Sequence, residues 1–132
     1  MVYNNGSDTD IHYKTVSPSQ VVGTIAFAAA TPSHESDPTI ACNQENGSCL
    51  IAWSHAGSNN IQGEYIEVDS SGISETSSPY TLSDNGGFHP YIAWGRDSDT
   101  YLLTYSHYES GRLFAYYTHI YDTKVSGEKW LH

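Results

Sequence analysis

The sequence predicts an all-β fold built from repeated antiparallel units of four short strands. Three observations carry this expectation. Residues 38–56, PTIACNQENGSCLIAWSHA, recur in altered form at residues 90–108, PYIAWGRDSDTYLLTYSHY. Pro38-Thr39-Ile40-Ala41 aligns with Pro90-Tyr91-Ile92-Ala93, and Trp53-Ser54-His55 with Tyr105-Ser106-His107, at a constant shift of 52 residues. Each copy reads as a strand, a polar turn (Asn46-Gly47 in one, Asp97-Ser98-Asp99 in the other) and a second apolar strand; Asn-Gly between two β-rich runs is a strong hairpin signal. Finally, three Trp, eleven Tyr and three Phe among many Val, Ile and Thr favour sheet, and no long window shows a 3.6-residue apolar period, so essentially no helix is expected.

Taken in order, the chain begins inside a unit. At a shift of 50, Val2-Tyr3-Asn4-Asn5 falls on Ala52-Trp53-Ser54-His55 and Asp10-Ile11 on Asn60-Ile61. Third strands follow at residues 11–17, 61–69 and 113–122, with Ile11, Ile61 and Leu113 in one equivalent place and Thr15, Tyr65 and Tyr117 in another. Residues 22–30 and 80–83 are candidate fourth strands, whereas 124–131 make only a weak one. Turns are expected at Ser17-Pro18-Ser19, Ser70-Ser71-Gly72, Asp84-Asn85-Gly86-Gly87 and Ser110-Gly111.

A unit of about 50 residues with four antiparallel strands has the size and pattern of a β-propeller blade. The division is a partial blade at 1–36 and two blades at 37–86 and 87–132, about two and a half per chain. The innermost strand would be the Pro-x-Ile-Ala run, its small Ala suiting a crowded axis. The next strand, 50–55 or 102–107, would be buried on both faces, as its nearly continuous apolar run implies. A β-sandwich of similar strand count is the competing architecture; the internal repeat favours the propeller.

Pro-x-Ile-Ala, a polar turn, Tyr-Leu-Leu-Thr-Tyr and a strand ending near Asp and Gly together resemble the blade repeat of bacterial and archaeal surface propellers. The pattern is also similar to the non-catalytic strands of sialidase-type propellers, and it covers residues 1–123. The aspartate-box loop of sialidases, Ser-x-Asp-x-Gly-x-Thr-Trp, is absent; Ser7-Asp8-Thr9-Asp10 comes no closer than a polar turn. Propeller repeats serve many functions, so the resemblance implies a fold more than an activity.

Composition narrows the partners. Lys and Arg number 5 against 15 Asp and Glu, a formal net charge of -10, which repels phosphate backbones and speaks against nucleic acid. No run approaches the length of a membrane span; residues 25–30 are too short and too Ala-rich. Met1-Val2-Tyr3 leads directly into Asn4-Asn5-Gly6, so an extracellular or cell-surface location requires that a leader has been removed. Cys42 and Cys49 lie at the facing ends of the first hairpin. With Glu45-Asn46 as the tip they sit directly opposite, and with Asn46-Gly47 they are offset. A cross-strand disulfide would imply an oxidising compartment; the alternative is two small buried thiols, because Trp94 and Tyr101 fill the same places in the second copy.

The candidate chemistry is sparse. His55 and His107 are repeat-equivalent and follow aromatic Trp53 and Tyr105. They could line equivalent pockets at the blade ends, but a repeated strand-end His commonly pins the adjacent loop. One His per blade is too widely spaced to share a metal, and two cysteines are too few for zinc. Asp8, Asp10, Asp37, Asp69, Asp84, Asp97, Asp99 and Asp122 all fall in turns or at strand ends, where Asp bonds its own backbone. A sialidase-like carboxylate clamp needs several arginines, and only Arg96 and Arg112 exist. Asp97-Ser98-Asp99 and Asp8-Thr9-Asp10 lack the full calcium-loop series. Asn5-Gly6-Ser7 and Asn46-Gly47-Ser48 match a glycosylation sequon, yet Asn-Gly is what tight turns use.

Aromatic surface remains. Trp53, Trp94, Tyr91, Tyr105, Tyr108, Tyr116 and Tyr117 exceed the needs of a core this size, and Tyr and Trp are the usual anchors of binding platforms. The expected function is a non-enzymatic propeller-type binding or scaffold module, its ligand a glycan or a protein surface. The candidate contacts are Trp53, His55, Trp94, Tyr105 and His107, with no catalytic residue, metal or cofactor. The alternative is a piece of a glycosidase-type propeller whose catalytic residues lie in other blades. Propellers close with 4 to 8 blades, so closure is expected either from the remaining blades of a parent propeller or from self-association. In the latter case the 22–30 strand of one chain would complete the last blade of the next, and three copies would give a six-bladed ring.

Overall fold

The computed structural model describes residues 2–4, 10–14, 26–29, 31–69, 72–75, 77–83, 86–121, 124–125 and 129–130. They form strands β1 (Val2–Asn4), β2 (Ile11–Tyr13), β3 (Ala26–Ala29), β4 (Glu35–Cys42), β5 (Ser48–His55), β6 (Asn60–Asp69), β7 (Gly72–Glu75), β8 (Tyr80–Thr81), β9 (Phe88–Gly95), β10 (Thr100–Glu109), β11 (Arg112–Tyr121), β12 (Lys124–Val125) and β13 (Lys129–Trp130). No helix occurs among the described residues, and none is long and apolar enough to cross a membrane. The turns expected around 17–19, 70–71 and 84–85, and parts of the strands expected at 11–17, 22–30 and 124–131, lie outside the described residues.

The chain is all-β, with three antiparallel sheets that do not close on themselves. The first sheet runs β1-β2-β3, the second β4-β5-β6-β7 with β8 also on β6, and the third β9-β10-β11-β12 with β13 also on β11. The 52-residue repeat is visible in the backbone. Cys42 pairs with Cys49, and the equivalent Trp94 with Tyr101. A bulge falls after Ser36 in β4 and after Phe88 in β9, where Asp37 and His89 take positive φ of 53° and 51°. The following Pro38 and Pro90 are thereby taken out of the ladder, where their missing N–H costs no hydrogen bond. Each hairpin turn ends on a left-handed residue, Gly47 (φ 79°) or Asp99 (φ 48°), so the loop has four residues rather than the two of a bare Asn-Gly turn.

The third strands depart from the expected alignment. Ser54 faces Ile61 in the second sheet, but Ser106 faces Ala115 in the third. Leu113 and Tyr117 are therefore not the structural equivalents of Ile61 and Tyr65. The cause is the turn. β5 and β6 are joined by residues 56–59, whereas β10 and β11 are joined by Ser110-Gly111 alone, both with positive φ (51° and 77°). That is the two-residue turn whose twist matches a hairpin, and it lets the third-sheet hairpin continue through the pairs Tyr108–Leu113 and Glu109–Arg112.

The fourth position is split in both later sheets. β7 and β8 pair with successive stretches of β6, as β12 and β13 do with β11. Within the chain, Ala26–Ala29 pairs with β2 in its own sheet, and the third sheet carries fourth-position pieces of its own.

Packing follows strand alternation. Strand β4 lies across β1 and β2, and β9 lies across β4, β5 and β6. One cluster, with Ile11, Tyr13, Ala28, Ala29, Cys49, Ile51, Trp53 and Ile66, fills the space between the first and second sheets. The other, with Leu50, Ala52, Ile61, Tyr65 and Leu82 meeting Ile92, Tyr101, Leu103, Tyr105 and Ile120, joins the second to the third. Consecutive residues of β5 thus enter different cores, and its continuous apolar run is explained by burial on both faces. β10 differs from expectation: Leu103 and Tyr105 are buried, but Leu102 is 37% exposed. Burying a side chain of this size contributes about 1.5–3 kcal/mol, so among the described residues the double-sided strand β5 is the densest source of stability.

Candidate functional site

The seam between the second and third sheets has a closed end and an open end. At the closed end the two hairpin turns are tied together. The Asn43 amide donates to Asp99 Oδ1 at 3.0 Å, the Tyr101 hydroxyl to the Ser48 carbonyl at 2.9 Å, and Arg96 Nε to Glu45 Oε1 at 3.2 Å. The Asp97-Ser98-Asp99 turn is engaged in this contact. Burial pushes the Tyr101 hydroxyl above its ordinary value of 10.0; the Ser48 and Asn43 hydrogen bonds oppose that and the Asp99 charge reinforces it.

At the open end lies a cleft of about 280 Å³ lined by Asn59, Gly87, Phe88, His107 and Tyr108. Three pieces of chain build it. The turn after β5 supplies Asn59, in left-handed conformation (φ 52°), whose carbonyl accepts from the Gly87 N–H at 3.1 Å. The loop before β9 supplies Gly86 and Gly87, which come too close to their neighbours for a side chain. A Cβ on Gly86 would lie 2.9 Å from the Asn59 carbonyl oxygen, and one on Gly87 2.7 Å from the Tyr105 ring. Ser83 Oγ fixes this loop by donating to the Gly86 carbonyl at 2.5 Å. The hairpin of β10 and β11 supplies His107, and its extension beyond the repeat supplies Tyr108.

The rings are ordered. Phe88 and Tyr108 stack with centroids 5.4 Å apart and planes 23° from parallel, while Tyr108 remains 62% exposed. His107 stands edge-on to Tyr116 at 5.6 Å, and Tyr116 in turn stacks on buried Tyr105. The outcome is a shallow hollow lined by the aromatic residues Phe88 and Tyr108 and by the polar residues Asn59 and His107. Beside it, Asp37 Oδ2 accepts from Ser36 Oγ at 3.0 Å and Ser54 Oγ at 3.3 Å, and His89 Nε2 lies 3.8 Å away. Ser54 Oγ also accepts the His89 backbone N–H at 3.1 Å. Ser54 points at the carboxylate, not at an imidazole, so these three residues lock the two bulges together across the seam.

The residues singled out from the sequence are dispersed. Trp53 is fully buried between the first and second sheets, and a tryptophan there cannot present its face to a ligand. Tyr105 is buried behind the cleft and Trp94 is half-buried against the second core. His55 pins its turn: Nδ1 accepts the Ser58 N–H at 3.1 Å and lies 2.7 Å from Ser58 Oγ. Its Nε2 is 3.7 Å from the fully buried Glu35 carboxylate, to which Thr31 Oγ1 also donates. His107 alone of the five lines the cleft. Cys42 and Cys49 are joined by a disulfide with Cα atoms 3.9 Å apart. No group of three or more His, Cys, Asp or Glu suited to a metal is found among the described residues.

Sequence reasoning missed Phe88 and Asn59 as contacts and placed Tyr108 only among surplus aromatics. The available signal was Gly86-Gly87 directly before an aromatic residue, a pair that marks close backbone approach. No protein-family model, no curated protein and no solved structure matches this chain.

Proposed function

We propose that this chain is a non-enzymatic binding module of propeller type, each sheet a blade, that holds one sugar ring of a glycan in the Phe88–Tyr108 cleft. The observation that carries the reading is the exposed, stacked aromatic pair beside Asn59 and His107. A pyranose offers a flat C–H face to an aromatic ring and hydroxyls to polar edges. The blade reading is supported by the recurring arrangement in which the first strand of one sheet lies across its predecessor, β4 on β1 and β9 on β5. The Cys42–Cys49 disulfide supports an oxidising, extracellular or cell-surface setting.

A glycan array probed with the labelled chain tests this reading. Selective binding is expected, lost in Tyr108→Ala and Phe88→Ala while thermal unfolding changes little for the exposed Tyr108. Absence of any glycan binding, or capture only of a protein surface that both variants still bind, refutes the glycan reading. Hydrolysis of aryl glycosides abolished by Asp37→Asn refutes the non-enzymatic one.

A further inference from the structure

The second sheet holds a carboxylate of its own at the place where the third sheet has its cleft. Glu35 faces His55 and Ser36 faces Ser54, as Phe88 faces Ser106. In the same register Gly87 stands where the second sheet has Glu35, and His107 where it has His55, each 52 residues further on. Glu35 is fully buried. Its carboxylate accepts from Thr31 Oγ1 and lies 3.7 Å from His55 Nε2. Because His55 Nδ1 accepts the Ser58 N–H, the ring hydrogen is assigned to Nε2, on the Glu35 side. A carboxylate is tolerated inside a protein only when donors of this kind surround it.

The third sheet differs here at neighbouring positions together. Gly87 replaces Glu35, Phe88 replaces Ser36 and Tyr108 replaces Ala56, so the chain loses a carboxylate and gains a stacked aromatic pair beside the same histidine position. No side chain can take up the lost position, because a Cβ on Gly87 would stand 2.7 Å from the Tyr105 ring. Polar groups remain around it. A Cβ on Gly86 would lie 3.2 Å from both Asn59 Nδ2 and His107 Cε1, so these two side chains flank one place. Neither side chain forms a hydrogen bond with another of the described residues. The geometry points to a hexuronic acid as the ring held in the cleft, its pyranose face against Tyr108 and its carboxylate beside His107 and Asn59, where the second sheet has Glu35. This assignment rests on the glycan reading of the cleft and names the class of sugar. The overall charge of -10 does not forbid it. No Asp or Glu lines the cleft, Asp37 is engaged by Ser36 and Ser54, and Glu109 by the Tyr116 hydroxyl. Charges further away are screened beyond about 8 Å at physiological salt, whereas a charge-assisted hydrogen bond acts at contact.

Calorimetric titration of the 132-residue chain with the methyl glycosides of glucuronic and galacturonic acid, each against its neutral parent sugar, tests the assignment. Acid and parent differ only in a carboxylate for a hydroxymethyl group, so their affinity ratio reads the carboxylate contact alone. At least one acid is expected to bind roughly tenfold tighter than its parent, as hydrogen bonds to a charged group imply. The ratio is expected to fall toward one in His107→Phe and in Asn59→Ala, with the circular dichroism spectrum unchanged. Neutral sugars that bind as tightly as the acids, or more tightly, overturn the uronic-acid assignment and leave the glycan reading standing. A preference for the acid that survives both substitutions puts the carboxylate elsewhere and overturns the assignment as well. Failure of acids and neutral sugars alike to bind at millimolar concentrations overturns it together with the glycan reading.

Discussion

Tyr101 couples proton binding to the fold. Its hydroxyl is held above its ordinary value of 10.0 by burial, so the folded chain retains a proton that the unfolded chain releases more readily. The stability this contributes is fully present below the unfolded value and is lost as pH rises through the higher folded value. The wild type should therefore lose stability between neutral pH and about pH 11 more steeply than Tyr101→Phe, which chemical denaturation at several pH values measures. Trp53 is the second decisive residue. Fully buried between two sheets, it should cost about 3–5 kcal/mol when replaced by Ala, from lost transfer energy and the cavity left behind. An exposed ligand contact would cost almost nothing in the same unfolding experiment, so the measurement separates core from binding surface. Nothing in the local sequence distinguishes the two roles, because a strand read alone does not say how many of its faces are covered.

Turns decide which elements repeat and which diverge. Pro-x-Ile-Ala, the paired Trp94 and Tyr101, and the opposed cysteines were legible because the first two strands keep their register across copies. The third strands were misaligned by two residues because turn length, set by Ser110-Gly111 against residues 56–59, does not show in a constant-shift comparison. The short outer strands carry too few residues to establish an alternating pattern, so β7, β12 and β13 were not distinct. Two glycines with positive φ make the turn chemistry testable. A Cβ on Gly111 meets nothing within 4 Å, so Gly111→Ala should cost only its left-handed backbone, about 1 kcal/mol. A Cβ on Gly47 would stand 2.6 Å from the Val68 carbonyl oxygen, and Gly47→Ala should cost clearly more. Reversed order in a thermal-shift comparison would contradict this account of the two hairpins. The disulfide acts on the same element. Closing a short loop restrains the unfolded chain modestly, so Cys42→Ser with Cys49→Ser should cost about 2 kcal/mol and leave the sheets intact.

At the scale of the molecule, three stacked sheets place chemistry where loops from different units converge. The all-β class and the repeat could be read directly from spacing. The cleft could not, because Asn59, Phe88 and Tyr108 come from a turn, the first residue of β9 and a hairpin extension that only the packing of β9 across β5 brings together. His107 was legible through its repeat partner, yet the two histidines do different work: His55 holds its own turn, while His107 edges the hollow. The divergence lies in the longer third-sheet hairpin, which adds Tyr108 where the second sheet has only exposed Ala56. The most direct measurement is therefore calorimetric titration of the best array glycan into the wild type and into Tyr108→Ala. Binding through the cleft requires a loss of roughly tenfold in affinity, a stacked ring contributing about 0.5–1.5 kcal/mol beyond its buried area, with an unchanged melting temperature. Equal affinity in the two proteins would place the ligand elsewhere and contradict the cleft as the binding site.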